Sequence, residues 1–172
     1  MKKIVLLFTA GLFCCLVSCQ NEESTTAAPE TKEDNSMAKK NLEACHVVTN
    51  AFDTGDTSKI DGVVASDFVD HTDRGDKNRD SLKTMIAMWK ADSKDNKTEI
   101  IKELADEDYV FSWLRFTGTS GGKMGMPAGP YNMTSIEVVR FNKDGKAVEH
   151  WGFMEPREMM KFMPQPKPAE KK

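Results

Sequence analysis

The spacing of apolar residues changes halfway along this chain, and that change limits the folds open to it. Leu42, Cys45, Val48, Thr49 and Phe52 recur in steps of three and four, so residues 37–53 are predicted to form a helix with one buried face. Gly55 ends that stretch. Asp56-Thr57-Ser58 offers cap residues for a short second helix over Ile60, Val63 and Val64, and Phe68-Val69-Asp70-His71 reads as a brief strand. Leu82, Met85, Ile86 and Trp89 make the stripe of a third helix, with Asp80 or Ser81 as its cap. Beyond it the chain turns to short β-favouring runs: Thr98 to Leu104, Tyr109 to Thr119, Met133 to Phe141 and Ala147 to Met154. Asp106-Glu107-Asp108, a glycine-rich stretch over 118–130 and the hairpin signal Asn142-Lys143-Asp144-Gly145 separate them. Helices gathered before consecutive strands predict an α+β fold in which the helices cover one face of an antiparallel sheet.

The two ends read differently. Lys2 and Lys3 precede an apolar run, Ile4 to Val17, that is too short to span a bilayer comfortably and fits a secretory signal peptide over residues 1–18. Its ending, Leu16-Val17-Ser18-Cys19, resembles the bacterial lipobox, which implies lipidation of Cys19 and attachment to a membrane of the cell envelope. Several acyl chains, at about 0.8 kcal/mol per buried methylene, hold a soluble domain there lastingly. The domain then faces the periplasm or, given Glu22 and Glu23 just after the Cys, the cell surface. Residues 19–36 lack large apolar side chains and form a tether, and residues 164–172 alternate proline with charge as an extended tail. The folded unit is thus placed at 37–163. Cys14 and Cys15 leave with the signal and Cys19 is acylated, so Cys45 has no disulfide partner and stability must come from a packed core. Loss of Lys2 and Lys3 takes the formal charge from -3 to -5, which excludes the basic footprint of a nucleic-acid binder.

An ordered set of short segments is more specific. Phe68-Val69-Asp70-His71, Phe116-Thr117-Gly118-Thr119, Met124-Gly125-Met126-Pro127, Val139-Arg140-Phe141, Asp144-Gly145-Lys146 and Val148-Glu149-His150-Trp151 follow one another as in SnoaL-like polyketide-cyclase domains, which the chain resembles from about Leu42 to Glu155. The resemblance implies a nuclear transport factor 2-like cone, with three helices packed into a curved antiparallel sheet around a deep pocket. In cyclases of this family the pocket binds a flat polyketide ester. A pocket carboxylate then acts as general acid and base with histidine assistance. His71 and His150 match the two family histidines. Many members follow the second His-Trp with an aspartate, whereas this chain has Gly152, which leaves Asp70 or Glu155 to supply the carboxylate.

Alternation along the last strand puts Val148, Gly152 and Met154 on the same face as His150, with Trp151, Phe153 and Glu155 on the other. The candidate catalytic residues are therefore His71, His150 and Asp70. Met85, Trp89, Trp113 and Met154 are the expected ligand-binding walls. Both faces of Tyr109 to Thr119 are apolar, so one is expected to line the pocket and the other to pack against a second subunit as a homodimer. His46 falls near the buried stripe of the first helix and is assigned a structural role, and no spacing supports a metal site or any other cofactor. Gly121-Gly122-Lys123 lacks the frame of a phosphate-binding loop. The first functional expectation is a membrane-anchored protein that binds a small, largely apolar molecule. The alternatives are a lyase or isomerase of the cyclase kind, and a non-catalytic dimeric interaction module.

Overall fold

The computed structural model describes residues 36–162. The expected signal peptide, Cys19, the expected tether up to residue 35 and the expected tail lie outside the described residues. The elements are α1 (Ser36–Thr54), α2 (Ile60–Val63), β1 (Val64–His71), α3 (Arg79–Asp92), β2 (Ser93–Ala105), β3 (Tyr109–Ser120), β4 (Gly129–Phe141), β5 (Ala147–Met154) and α4 (Pro156–Phe162). Five strands form one sheet in the order β1-β5-β4-β3-β2. This is the expected α+β architecture. Register shifts between Lys94 and Lys97, between Ile100 and Lys102, and between Arg140 and Phe141 bend the strands, and the sheet curves. No helix among the described residues is long and apolar enough to cross a membrane.

In one respect the expected sheet is corrected. β2 to β5 pair antiparallel as consecutive hairpins, but β1 runs parallel to β5. A parallel neighbour needs a long connection. Here that connection is α3 and three strands, which carry the chain across the sheet and back to β1. A second correction concerns α3. Its cap is Asn78, in extended geometry, whose side chain accepts from the Ser81 amide at 2.9 Å, rather than Asp80 or Ser81. Strand β4 starts at Gly129, ahead of the predicted Met133, and β3 stays paired with it through Gly118 and Tyr131. Gly118 suits that contact because a Cβ there would lie 2.6 Å from the Tyr131 hydroxyl.

The core is built from the stripes the sequence shows. Ala44, Cys45 and Ala51 of α1, Ile60 of α2, and Leu82 and Ile86 of α3 pack with Val64, Phe68, Val110, Phe141 and Ala147 of the sheet. Val110, Ser112 and Leu114 of β3 are buried while Phe111 and Trp113 between them are 45% exposed, which defines an inner and an outer face. Carried through the register, the inner face continues to Ser135, Glu137 and Val139 on β4, to His150, Gly152 and Met154 on β5, and to Asp70 on β1.

Candidate functional site

Three strands bring one polar group to the inner face. The parallel register sets Asp70 beside His150, and the antiparallel register sets Val139 beside His150 and Glu137 beside Gly152. Asp70 is held by its backbone, whose N–H and C=O both pair with Lys77, at 2.8 and 2.9 Å. Its carboxylate accepts from His150 Nδ1 at 2.8 Å. The other ring nitrogen, Nε2, donates to Glu137 Oε2 at 2.7 Å, and Ser135 Oγ donates to Glu137 Oε1. One imidazole thus spans two carboxylates. Exposure rises from the 7% of the Asp70 side chain to 22% for Glu137 and 26% for His150. Gly152 beside them is exposed, so the site can be reached from solvent although it lies on the packed side of the sheet.

Charge follows from this geometry. Burial alone would depress the His150 pKa, but the hydrogen bonds and charges of Asp70 and Glu137 outweigh it and lift the value from 6.5 to about 9. His150 is therefore an imidazolium at neutral pH, with both N–H groups donating. A histidine with a raised folded-state pKa stabilises the fold fully below its unfolded value of 6.5, and the gain disappears as pH climbs through about 9. The protein is expected to lose up to about 3 kcal/mol on that rise, because each tenfold gain in proton affinity on folding is worth about 1.4 kcal/mol. Urea midpoints measured from pH 6 to 10 check it: the His150→Gln variant should lack this component of the fall.

His71 does not join the group. Neighbours in a strand point to opposite faces, so with Asp70 inward His71 faces outward, stacked on Trp151 at a centroid distance of 4.8 Å and bonded to Asp76 at 3.0 Å. The expected pair of imidazoles beside one pocket is thus corrected to a single imidazole between two carboxylates. Trp113, expected as a pocket wall, stands half-exposed on the outer face opposite Ile136. Met85 is on the exposed side of α3, and its neighbour Ile86 fills the core. Trp89 sets its ring edgewise to Tyr131 at 5.6 Å, and Met154 shares the His150 face next to Ser135.

A second polar group lies further along the same face, where Glu103 is the register partner of Ser112 and Ser112 that of Glu137. His46 Nε2 pairs with Glu103 Oε2 at 2.8 Å, and Glu103 Oε1 accepts from Ser112 at 2.9 Å. Burial, with the Glu103 charge, pushes the Cys45 thiol up to about 12, which makes it a poor nucleophile. Among the described residues no group of three or more His, Cys, Asp and Glu is arranged to hold a metal ion. A shallow groove of about 290 Å³ over Glu43, His46, Val47, Asn50, Asp56 and Lys59 includes none of the Asp70, His150 and Glu137 set.

Glu137 is the residue that sequence reasoning missed. In Ser135-Ile136-Glu137-Val138 the apolar positions point outward and the polar ones inward, the reverse of the usual solvent-facing pattern. The signal in the sequence is an acidic residue set between two apolar ones, Ile136 and Val138.

Comparison with known proteins agrees with this fold. A family model described as SnoaL-like polyketide cyclase matches residues 43–161. Among solved structures, TsrD from Streptomyces laurentii is 18% identical with a TM-score of 0.62, covering 73% of this chain and 93% of its own. IdmH, a putative polyketide cyclase from Streptomyces antibioticus, is 21% identical with a TM-score of 0.58 over 71% of this chain and 96% of its own. An LEH-like epoxide hydrolase from M. tuberculosis is 14% identical with a TM-score of 0.58, over 73% and 90%. These are likenesses of fold. No curated protein sequence matches the chain.

Proposed function

The chain belongs to the SnoaL-like polyketide cyclase family, and we propose that it takes a small, neutral, largely apolar molecule onto the inner face of its sheet and moves a proton on it, as a lyase or isomerase does. The carrying observation is His150 held by both nitrogens between Asp70 and Glu137. With neither ring nitrogen free, the imidazolium is not the base. Glu137 is the more exposed carboxylate and meets the ligand. It accepts a proton from a carbon next to a carbonyl, the bonding pair passes to the carbonyl oxygen as an enolate, and the carboxylic acid returns the proton at a new position. As Glu137 is neutralised, His150 keeps Asp70 as counter-ion, so no buried charge is stranded. Two carboxylates and one imidazolium leave the group with an excess negative charge, which disfavours anionic ligands.

Two probes test this. 2-Naphthol should bind and shift the His150 ring resonances, and 2-naphthoate should not. Incubation of 2-tetralone with the protein in D₂O should accelerate deuterium uptake at its α-carbon. The commitment of both ring nitrogens also fits a second reading, capture without chemistry; that reading predicts naphthol binding with no deuterium uptake. Mass spectrometry of small molecules carried through purification would identify the natural ligand class under either.

The protein is further proposed to be a homodimer tied to a cell-envelope membrane through acylated Cys19. Exposed Phe111, Trp113, Ile136 and Phe153 stand on three adjacent strands of the outer face, a patch able to meet its own copy about a two-fold axis. Light scattering of the soluble domain should return twice the chain mass, and Trp113→Glu should return one. Full-length protein in bacteria should take up a clickable palmitate analogue and sediment with membranes. Cys19→Ala should do neither.

A further inference from the structure

Gly152 has none of the backbone reasons for being glycine. It lies in the interior of β5 and its φ is not positive, so any residue could adopt its conformation. Glycine inside a strand weakens it and often marks a close approach. Here the approach comes from its register partner Glu137. A Cβ at position 152 would stand 3.1 Å from Glu137 Oε2, the oxygen that accepts from His150 Nε2, and the three atoms nearest to it all belong to Glu137. The conflict is therefore with that carboxylate in its present rotamer.

We propose that Gly152 is a positioning residue for Glu137: its missing side chain lets the carboxylate fold over β5 onto His150 and leaves the adjoining strand surface bare for the reacting atom of a ligand. The second half of this statement rests on the proton-transfer reading above; the first does not. A methyl group at 152 would displace Oε2 by a few tenths of an ångström, loosening its bond to the imidazolium. A shift of that kind in a reacting group lowers rate steeply.

The test is a double-variant cycle on the mature domain, read by nitrogen resonances of His150 and by 2-tetralone deuterium uptake. Gly152→Ala should lower the His150 pKa and slow uptake by at least about tenfold, yet change neither in a Glu137→Ala background, because the group it displaces is absent there. Equal effects of Gly152→Ala in both backgrounds, or an unmoved His150 pKa, would overturn the proposal. If Gly152→Ala fails to fold, Gly152→Ala/Glu137→Asp carries the test. The shorter carboxylate clears the added methyl, so a folded protein with a high-pKa His150 supports the proposal and continued misfolding overturns it. Should the His150 resonances respond as expected while no variant, wild type included, exchanges 2-tetralone, the positioning role stands and the proton-transfer reading falls.

Discussion

Glutamine at position 137 is expected to slow deuterium uptake into 2-tetralone by about 10²–10⁴-fold, the usual contribution of a placed acid–base group. The change is nearly isosteric. The amide oxygen still accepts from His150 Nε2, and the amide nitrogen turns toward Ser135 in place of the second carboxylate oxygen. What disappears is the proton acceptor. Circular dichroism and the urea midpoint should therefore show a folded protein, which separates lost chemistry from lost structure. Equal uptake by wild type and Glu137→Gln would remove Glu137 from the reaction.

Asp70→Ala is expected to do the opposite, damaging the fold first. Asp70 is 5% exposed, and its carboxylate faces the imidazolium at 2.8 Å. Its removal leaves the buried Nδ1–H without its acceptor and the positive charge with one counter-ion in place of two. Breaking a buried pair from one side costs about 3–5 kcal/mol. The partial exposure of His150 places this case near about 3 kcal/mol, read as a fall in the urea midpoint at pH 7. Asp70→Asn, which keeps an oxygen acceptor, should lose less. The His150 pKa should drop in both variants, because each removes one of the charges that raise it.

The limits of the sequence reading have a physical cause. Stripes at three and four residues mark α1 and α3 well, since each helix buries one side, and the Ala147–Met154 strand ends where its flanking Gly145 and Pro156 require. Alternation shows correctly which residues share a face on β3 and, from His150 onward, on β5; before His150 the register shift at Arg140 and Phe141 breaks it and brings Ala147 into the core. Alternation does not show which face is inside. In this sheet both faces are apolar, so the pattern alone makes Trp113, with its large ring, as good a wall as any, and it lies outside. The same ambiguity hid Glu137, whose inward direction depends on pairing with β3 and β5. His71 failed for a simpler reason: it neighbours Asp70 in one strand, and only one of the two can face the site. The parallel pairing of β1 with β5, which joins Asp70 to His150, links residues 80 positions apart that no local pattern relates.

The chemistry proposed for the site requires a doubly protonated imidazole held between Asp70 and Glu137. Nitrogen-15 NMR of labelled histidine, recorded from pH 5 to 10, tests it directly. The expected result is that both ring nitrogens of His150 remain protonated at pH 7 and titrate near pH 9. A His150 already neutral at pH 7, with one bare nitrogen and a midpoint at or below 6.5, would contradict it.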